Sequence, residues 1–324
     1  MSATGGILYL SESDVAGAGI PLDELRDKVA AAFLAKARGT GEAASKTVLN
    51  IAPGHVFQAK PAVLRDAGLA AVKWFGLVPA AQTAGPSLSS LIILSDVASG
   101  MPVAVMDGNW ITAMRTGAMS AIAAQSLARA GSASIGFVAC GVQARSHLDA
   151  LKLVLPGLDS VVAYSRTPAS AARFEEFARG RGLTVRTTRD PREAVEGMDV
   201  VVTSVPEGAA TLEFLDPAWV APGAFVTAVD LGRSWQRGKL RDFELLATDE
   251  HEQTRALTAM GRMTYAGPYD ADLADLASAA RPGRTSPSQR AMFNFSGHAL
   301  ADIAAAQAAW DTARRKGLGT LLRR

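Results

Sequence analysis

The stretch Ser134-Ile135-Gly136-Phe137-Val138-Ala139-Cys140-Gly141-Val142-Gln143-Ala144-Arg145-Ser146-His147-Leu148 combines a buried-strand pattern, a turn of small residues and a helix start. Ala139, Gly141 and Ala144 occupy the three positions of a G-x-G-x-x-G/A fingerprint, although the first glycine is absent. The middle glycine lets the backbone approach a pyrophosphate, and the helix N-terminus offers free N–H groups to the anion. The stretch predicts a dinucleotide site, and the alternative is an ordinary strand-turn-helix of an α/β sheet.

Strands and helices alternate after this stretch. Helices are predicted from about residue 144, over 168–179 and over 191–196, between strand patterns at 134–139, 160–165, 183–187, 200–205, 224–230, 245–248 and 291–295. Strands such as Val200-Val201-Val202 are apolar on both sides, as a sheet covered on both faces requires. The pattern predicts an α/β fold with a doubly wound parallel sheet.

The region before residue 116 is predicted to be a β-rich α+β domain. It contains an amphipathic helix over 21–38 and strand patterns at 7–10, 46–51, 55–64, 69–76, 88–96 and 102–106. Thr112 is expected to cap a helix that runs to about residue 129. A long alanine-rich helix is predicted over 297–316, with Gly317 as its end.

Composition excludes several classes of function. The 324 residues suggest about two domains, and a formal net charge of +2 without Lys/Arg runs gives no support for binding nucleic acid or a membrane surface. The single cysteine, Cys140, excludes an internal disulfide and a cysteine zinc site. The four histidines have no metal-ligand spacing, so no metal is predicted. No apolar run reaches the ~18 residues of a membrane span, and residues 1–10 lack a signal-peptide pattern, so we expect a cytoplasmic protein.

The end of the second predicted strand indicates which dinucleotide binds. An acidic residue there would bind the ribose 2′-hydroxyl of NAD(H), but the strand ends Tyr164-Ser165-Arg166-Thr167. Arg binds phosphate through a forked pair of hydrogen bonds, so this end favours the 2′-phosphate of NADP(H). NAD(H) is the alternative, with Arg166 as a solvated loop cation.

Three charged residues outside the fingerprint are candidates for chemistry. Lys73 lies in an otherwise apolar strand, so it either reaches the surface or serves an anion. Arg115 is placed in the first turn after Thr112, where a cation is disfavoured unless it shares an anion with the helix amides. Asp230 ends a parallel strand, where ligands of open α/β sheets bind and where Thr203 and Ser204 end the preceding strand. An acid there suits proton transfer, and a turn cap is the alternative.

The chain resembles the ornithine cyclodeaminase/mu-crystallin family over nearly its whole length. The likeness lies in Lys73-Trp74 with 91–96 and 99–102, in Asp107-Gly108 with 111–118, in 136–144, and in 295–302. It implies a homodimer in which residues 1–115 with 296–324 form the substrate-binding and dimerisation domain. A Rossmann dinucleotide-binding domain would cover 116–295.

The resemblance also implies roles for single residues. Lys73 and Arg115 would hold the substrate carboxylate, with Lys46 facing it, and Asp230 would exchange a proton with the substrate nitrogen. Asp230 and Lys73 are the expected catalytic residues. The expected cofactor contacts are Thr116, Gly141, Val142, Gln143, Ala144, Ser165, Arg166, Thr167, Thr203, Ser204, Val205 and Asp230.

Three departures from the family pattern bear on the substrate. Lys60 stands where the family commonly has methionine, and a lysine facing the pocket would favour a more acidic substrate than ornithine. Residues 231–235 read Leu-Gly-Arg-Ser-Trp instead of the usual Gly-Lys-x-Glu run, and the NADP-like strand end departs from the cyclodeaminases.

These observations lead to one function hypothesis and two alternatives. The first is an NAD(P)H-dependent oxidoreductase on the C–N bond of α-imino and α-amino acids, with hydride transfer at Cα. The second is a cyclodeaminase-type lyase that recycles bound NAD and releases ammonia. The third is a non-catalytic, crystallin-like NADPH-binding protein.

Overall fold

Two units of different architecture make up the chain. The structure, a computed structural model, describes residues 6–79, 82–206 and 212–323. The first unit comprises the described residues up to Arg115 together with those from His298 onward, and the second runs from Thr116 to Gly297. The boundary at Arg115 falls inside one helix, Asn109–Leu127.

The described residues form 16 strands and eight α-helices. The strands are β1 (Gly6–Leu10), β2 (Gly41–Ala43), β3 (Thr47–Ala52), β4 (His55–Leu64), β5 (Leu69–Leu77), β6 (Leu88–Asp96), β7 (Pro102–Asp107), β8 (Ser134–Val138), β9 (Ser160–Tyr164), β10 (Thr184–Thr188), β11 (Val200–Thr203), β12 (Phe225–Ala228), β13 (Leu245–Thr248), β14 (Ala271–Asp272), β15 (Ala291–Asn294) and β16 (Thr320–Arg323). The helices are α1 (Glu12–Gly17), α2 (Leu22–Ala37), α3 (Asn109–Leu127), α4 (Val142–Val154), α5 (Pro168–Arg179), α6 (His251–Ala259), α7 (Leu273–Ser278) and α8 (Ala299–Lys316). None of these helices has the length and apolar content needed to span a bilayer.

The first unit is built on a mostly antiparallel sheet with one covered face. Its strand order is β16-β1-β7-β6-β5-β4-β2, with β3 paired to β4 and only the β1–β7 pair parallel among the described strands. Alternate side chains of β4 are buried, as expected where one sheet face packs on a core. Helix α8 packs on β4 and β5, and α2 packs on α8.

Helix α8 is buried through alanine. Eight alanines between Ala299 and Ala313 are buried, so the helix contacts its neighbours mainly through methyl groups. His298 caps its N-terminus, because its Nδ1 accepts a hydrogen bond from the Leu300 N–H at 3.1 Å. Gly317, at φ 65°, ends the helix in the left-handed conformation that glycine adopts without steric cost.

The second unit contains the predicted parallel sheet. Its strand order is β10-β9-β8-β11-β12-β15-β13-β14, and every pair among these strands is parallel. The chain leaves β8 toward β9 on one side and returns to β11 on the other side. Ligands of open α/β sheets bind at such a reversal, outside the carboxyl ends of the strands. The fold class expected from the sequence, an α/β chain with a Rossmann-type sheet and a β-rich α+β region, is confirmed.

Several predicted element boundaries were wrong. Helix α3 begins at Asn109, whose N–H donates to the Asp107 carboxylate at 2.8 Å, so Thr112 is not its cap. Arg115 therefore lies in the second turn, and the argument from an unfavourable helix dipole does not hold. Strand β12 ends at Ala228, which leaves Asp230 in the turn beyond it. The helix predicted over 191–196 is a 3-10 segment at Pro191–Ala194.

Candidate active site

Four buried cations lie in the first unit and form what we call the cationic cluster: Lys46, Lys60, Lys73 and Arg115. The β4–β5 register pairs Lys60 with Lys73, and Thr47 pairs with Ala59, which brings Lys46 next to Lys60. The exposed fractions are 8% for Lys46, 5% for Lys60, 2% for Lys73 and 4% for Arg115. Lys73 does not reach the surface, which removes the first of the two alternatives for it.

A carboxylate that the sequence did not single out joins this cluster. Oδ1 of Asp302, on α8, lies 2.6 Å from the Nζ of Lys73 and 2.8 Å from the Nε of Arg115. Asp302 is 2% exposed, so all three charges are withdrawn from water. The sequence signal that could have pointed to Asp302 is its position as a lone acidic residue one turn after His298, in an otherwise alanine-rich stretch of helix. Lys73 and Arg115, expected to hold a substrate carboxylate, hold an internal one.

The buried charges shift one another's protonation. Burial alone would raise the pKa of Asp302, but the charges of Arg115, Lys73 and Lys60 outweigh it and hold that pKa below its ordinary value. Burial lowers the pKa of Lys73 well below its usual range, against the opposing effect of Asp302.

Two further contacts fix the lysines of the cluster. Lys73 donates to the hydroxyl of Thr112 at 3.3 Å, and that hydroxyl donates to the carbonyl of Gly108 at 2.6 Å. The amines of Lys60 and Lys73 lie 5.0 and 5.7 Å from the ring centre of Phe75, within the range of a cation–π interaction.

The fingerprint turn of the second unit has the geometry expected of an anion site. Gly141 is the N-cap of α4, and no side chain caps it. A methyl group built on Gly141 would contact nothing within 4 Å among the described atoms, whereas Ala144 is fully buried against the sheet. Open space in front of a helix N-terminus suits a phosphate group. Ala139, at the first fingerprint position, adopts φ 81°, a value that usually calls for glycine.

The predicted 2′-phosphate residues follow β9 beside this turn. The carbonyl of Tyr164 accepts from the Ala139 N–H at 2.9 Å, which brings the two strand ends together. Ser165 is half-buried, while Arg166 and Thr167 are exposed. The Arg166 side chain makes no hydrogen bond or ion pair with any described residue.

Asp230 lies in a buried polar network at the carboxyl edge of the parallel sheet. Its Oδ1 accepts from the Thr203 hydroxyl at 3.0 Å, and its Oδ2 accepts from the Ser234 hydroxyl at 2.5 Å. Trp235 donates to the Thr203 oxygen at 3.3 Å. Burial raises the pKa of Asp230, although the bond from Ser234 and the charge of Arg233 oppose the rise. Sequence reasoning noted Ser234 and Trp235 only as part of a departure from the family pattern, and it missed their contacts with Asp230 and Thr203.

This network and the fingerprint turn belong to the same edge. Thr203 pairs with Val138 at the ends of β11 and β8, and the Ser204 N–H donates to the Val138 carbonyl at 3.0 Å. Arg233 donates to the carbonyl of Val205, and Thr116 is buried in α3. Within the second unit, the structure therefore brings together Asp230, Thr203, Ser204 and the turn that contains Gly141, Val142 and Gln143.

One grouping with the composition of a metal site has a structural explanation. His251, Asp272 and Asp275 bring ligand atoms within 4.8 Å of one another. The two carboxylates cap α7, since Asp272 accepts from the N–H of Asp275 and Asp275 accepts from the N–H of Asp272.

The sequence profile of the ornithine cyclodeaminase/mu-crystallin family matches residues 9–317. The chain belongs to this family. The resemblance inferred from the sequence is therefore confirmed. Ketimine reductase mu-crystallin of Mus musculus is 34% identical to this chain over 234 residues, which cover 71% of each protein.

Two solved structures share the fold over almost the full length. An archaeal alanine dehydrogenase dimer with bound NAD superposes with a TM-score of 0.87 and 27% identity, over 98% of this chain and 99% of that one. The Thermococcus litoralis Δ1-pyrroline-2-carboxylate reductase in complex with NADH and L-proline superposes with a TM-score of 0.86 and 28% identity. This likeness covers 97% of this chain and 99% of the reductase.

Proposed function

We propose that this chain is an NAD(P)H-dependent oxidoreductase that acts on the C–N bond of α-imino and α-amino acids. The observation that carries the proposal is the buried Asp230 network at the same sheet edge as the open Gly141 turn. Relatives of this chain named ketimine reductase, alanine dehydrogenase and pyrroline-2-carboxylate reductase support the reaction class.

The cofactor supplies or accepts a hydride when bound, and the second unit provides the groups that would hold it. The Gly141 turn and the first amides of α4 would bind the pyrophosphate. Arg166, with Ser165 and Thr167, would bind a 2′-phosphate, so we propose NADP(H) over NAD(H). The archaeal alanine dehydrogenase binds NAD and the Thermococcus litoralis reductase binds NADH, so a preference for NADP(H) would distinguish this chain from both relatives.

The cationic cluster would bind the substrate carboxylate and fix the α-carbon. Arg115 and Lys73 contribute the charge, and Asp302 keeps both in place through its Oδ1. Holding a reactant in one orientation lowers the entropic part of the barrier. Lys46 and Lys60 add positive charge to the same cluster.

Asp230 would manage the proton on the substrate nitrogen. Reduction of a C=N bond is faster when the nitrogen is protonated, because an iminium accepts a hydride better than a neutral imine. A carboxyl group whose pKa is raised by burial retains a proton to give at higher pH than an exposed one. In the oxidative direction, the ionised Asp230 would remove the proton from the amine.

We also propose a homodimer in the cytoplasm. The face of the first sheet opposite α8 exposes large apolar side chains, among them Trp74, Leu91 and Ile93. Such a patch is typical of a subunit interface, and the archaeal relative is described as a dimer. The single cysteine, Cys140, is buried and unpaired, which fits a reducing compartment.

The experiment that tests the function is a spectrophotometric screen of NADPH and NADH oxidation. Cyclic ketimines such as pyrroline-2-carboxylate, and keto acids with amines, are offered as substrates, and ammonia release from ornithine with catalytic NAD is measured in parallel. We expect NADPH oxidation that depends on an imino acid. Ammonia release without net redox change would assign a cyclodeaminase instead, and binding without either reaction would assign a non-catalytic protein.

A further inference from the structure

We infer that Ser234 is a positioning residue for the proposed reaction: its hydroxyl holds the carboxylate of Asp230 in one orientation and stabilises its ionised form. The inference rests on the proposed function, in which Asp230 exchanges a proton with the substrate nitrogen. It is carried by the hydrogen bonds that converge on this carboxylate and by the turn that contains Ser234.

The two oxygens of the Asp230 carboxylate are bonded to hydroxyls from two different elements. Thr203, the last residue of β11, donates to Oδ1 at 3.0 Å. Ser234, four residues after Asp230 in the turn beyond β12, donates to Oδ2 at 2.5 Å. A carboxylate held at one oxygen could still rotate about its bond to Cβ, because that torsion has a broad minimum. Bonds to both oxygens fix the rotation.

Trp235 determines the direction in which the Thr203 hydroxyl bonds. An indole N–H can only donate, and that of Trp235 lies 3.3 Å from the Thr203 oxygen, which therefore accepts. The single hydrogen of the Thr203 hydroxyl is then available to Asp230. The Ser234 hydroxyl donates its hydrogen to Oδ2 of Asp230. Two donated bonds stabilise the ionised carboxylate and leave one acceptor position on each oxygen for the exchanged proton.

The hydroxyls are more deeply buried than the carboxyl group that they hold. Thr203 and Ser234 are 0% exposed, whereas Asp230 is 3% exposed. A side chain without exposed surface does not contact a ligand directly. Ser234 therefore acts through Asp230, and Asp230 is the residue that would contact the substrate.

The turn that contains Ser234 is fixed by contacts other than the bond to the carboxylate. Gly232 has a φ of 74°, and a methyl group on it would lie 2.7 Å from the Thr264 hydroxyl oxygen, so glycine is required there. The Nε of Arg233 donates to the backbone carbonyl of Asp230 at 2.9 Å. Removal of the Ser234 hydroxyl is therefore expected to leave the turn in place.

Burial and hydrogen bonding act on Asp230 in opposite directions. Burial raises the pKa of Asp230, and the Ser234 hydroxyl gives the largest of the effects that lower it. The other groups that lower this pKa are the charge of Arg233, the Thr203 hydroxyl and the N–H of Val205. Without the Ser234 hydroxyl, the effect of burial is less opposed and the pKa rises.

The test measures the pKa of Asp230 in the full chain by ¹³C NMR of aspartate labelled at the carboxyl carbon. The signal is assigned by its absence from Asp230→Asn. Ser234→Ala should raise this pKa by about 1–2 pH units, the effect of one hydrogen bond to a charged group. Ser234→Thr keeps a hydroxyl and should reverse most of the rise. Thr203→Val removes the other hydroxyl and should also raise the pKa, which provides the same test if Ser234→Ala does not fold.

Turnover distinguishes positioning from a purely structural role. Reduction needs the protonated carboxyl group, so the decline of turnover at high pH should move upward in Ser234→Ala by the same amount as the pKa. A carboxyl group that rotates is less often in the reactive orientation. Turnover at the optimum should therefore fall by about 10-fold, while the KM of the imino acid stays within about threefold.

The matched control is Ser120→Ala. Ser120 and Thr227 are both 0% exposed, and their hydroxyls are hydrogen-bonded at 2.8 Å in the same unit. This variant removes an equally buried hydroxyl and should leave the pKa of Asp230 and the pH profile unchanged. An unchanged pKa in Ser234→Ala, or lower turnover with an unshifted pH profile, would overturn the inference.

The proposed function fails by a different result. If the wild-type chain reduces imino acids with NADPH and Ser234→Ala leaves the pKa of Asp230 unchanged, the function stands and the inference is wrong. If Ser234→Ala raises that pKa but no imine supports NADPH oxidation by the wild-type chain, the proposed function is wrong and the bond from Ser234 is structural.

Discussion

Asp302 and Asp230 are buried carboxylates in opposite electrostatic surroundings. Asp302 contacts two cations, which hold its pKa below the ordinary value, whereas Asp230 accepts bonds from two hydroxyl groups and has its pKa raised by burial. A carboxylate that stays ionised suits a fixed counter-charge, and one that takes up a proton suits proton transfer. The two environments therefore support different tasks for the same side chain.

Asp302→Asn is expected to destabilise the fold strongly. It would leave Lys73 and Arg115 without their shared counter-charge, at a cost of about 3–5 kcal/mol in the free energy of unfolding, measured by urea titration. Because the folded pKa of Asp302 is depressed, its stabilisation is complete above the ordinary value of 3.8 and is lost as the pH falls below it. The unfolding free energy of Asp302→Asn should therefore not show this part of the decrease at low pH. Pairing Asp302→Leu with Lys73→Met should recover part of the loss, and no recovery would argue against a direct coupling.

Asp230→Asn tests the proton role. Turnover should fall by about 10²–10⁴-fold, the usual contribution of a general acid or base, while the dissociation constant of NADPH stays within about threefold of the wild-type value. In the wild-type chain, reductive turnover should fall as the pH rises through the raised pKa of Asp230, because the donor form disappears. Thermal unfolding of the variant controls for folding, and undiminished turnover would remove Asp230 from the chemistry.

Arg166→Ala tests the choice of cofactor. Loss of a charged hydrogen-bond donor should weaken NADPH by about 10- to 100-fold and NADH by less than about threefold, measured as dissociation constants by fluorescence titration. The matched control is Arg173→Ala, which removes an exposed arginine within α5. It should leave the dissociation constants of both NADPH and NADH unchanged. An equal loss for both cofactors in Arg166→Ala would exclude a 2′-phosphate contact.

At the scale of the element, the strand-turn-helix β8–α4 separates a packing glycine from a binding glycine. A methyl group at Gly136 would lie 1.7 Å from the carbonyl oxygen of Ala194, a backbone atom that cannot turn aside. Gly136→Ala should therefore cost about 1–3 kcal/mol of unfolding free energy or more. Gly141→Ala meets open space, so its unfolding free energy should stay within about 0.5 kcal/mol, while its affinity for NADPH should fall. The reverse pattern would contradict both assignments.

Elements with a strong periodic pattern were predictable from the sequence, and short ones were not. Local sequence is enough to predict three of the strands. Strands β11 and β12 are buried on both faces and β4 alternates between buried and partly exposed residues, and each pattern is visible in the sequence. Helices α1, α6 and α7 have six to nine residues and hardly any periodicity to detect. Strand β16 exists through its pairing with β1, a contact between residues over 300 positions apart.

The same limit applies to the candidate site. Lys73, Arg115 and Asp230 stand out because a charge in an apolar run is unusual, and each is buried. Asp302 and Ser234 act through partners that only the folded chain brings near. Their positions could not be inferred without the tertiary structure.

At the scale of the whole molecule, the main feature is the exposed apolar face of the first sheet, which no element described in the first unit covers. Trp74, Leu91 and Ile93 are 43%, 45% and 39% exposed, and Trp74 pairs with Leu91 across β5 and β6 while its ring stacks on Phe57. A stacked, ordered apolar surface is better suited to a protein partner than to water.

Ile93→Asp should therefore convert the expected dimer into monomers. A charge in the centre of an apolar interface has no partner and keeps its water only if the subunits separate. The measurement is light scattering coupled to size-exclusion chromatography at micromolar concentration. Leu153→Asp, on an exposed apolar residue of α4, is the control and should leave the mass unchanged. A monomeric wild-type chain would refute the proposal.

The buried alanines of α8 limit which substitutions this helix can accept during evolution. A larger residue at one of these methyl contacts would push the helix off β4 and β5 and carry Asp302 with it. If the codons of these alanines were randomised, selection for a folded chain alone would retain some of the larger residues. Selection for cells whose growth depends on the product that the enzyme makes would discard them. The difference between the two sets of surviving variants would show which alanines are needed only for packing and which are needed to position the carboxylate of Asp302.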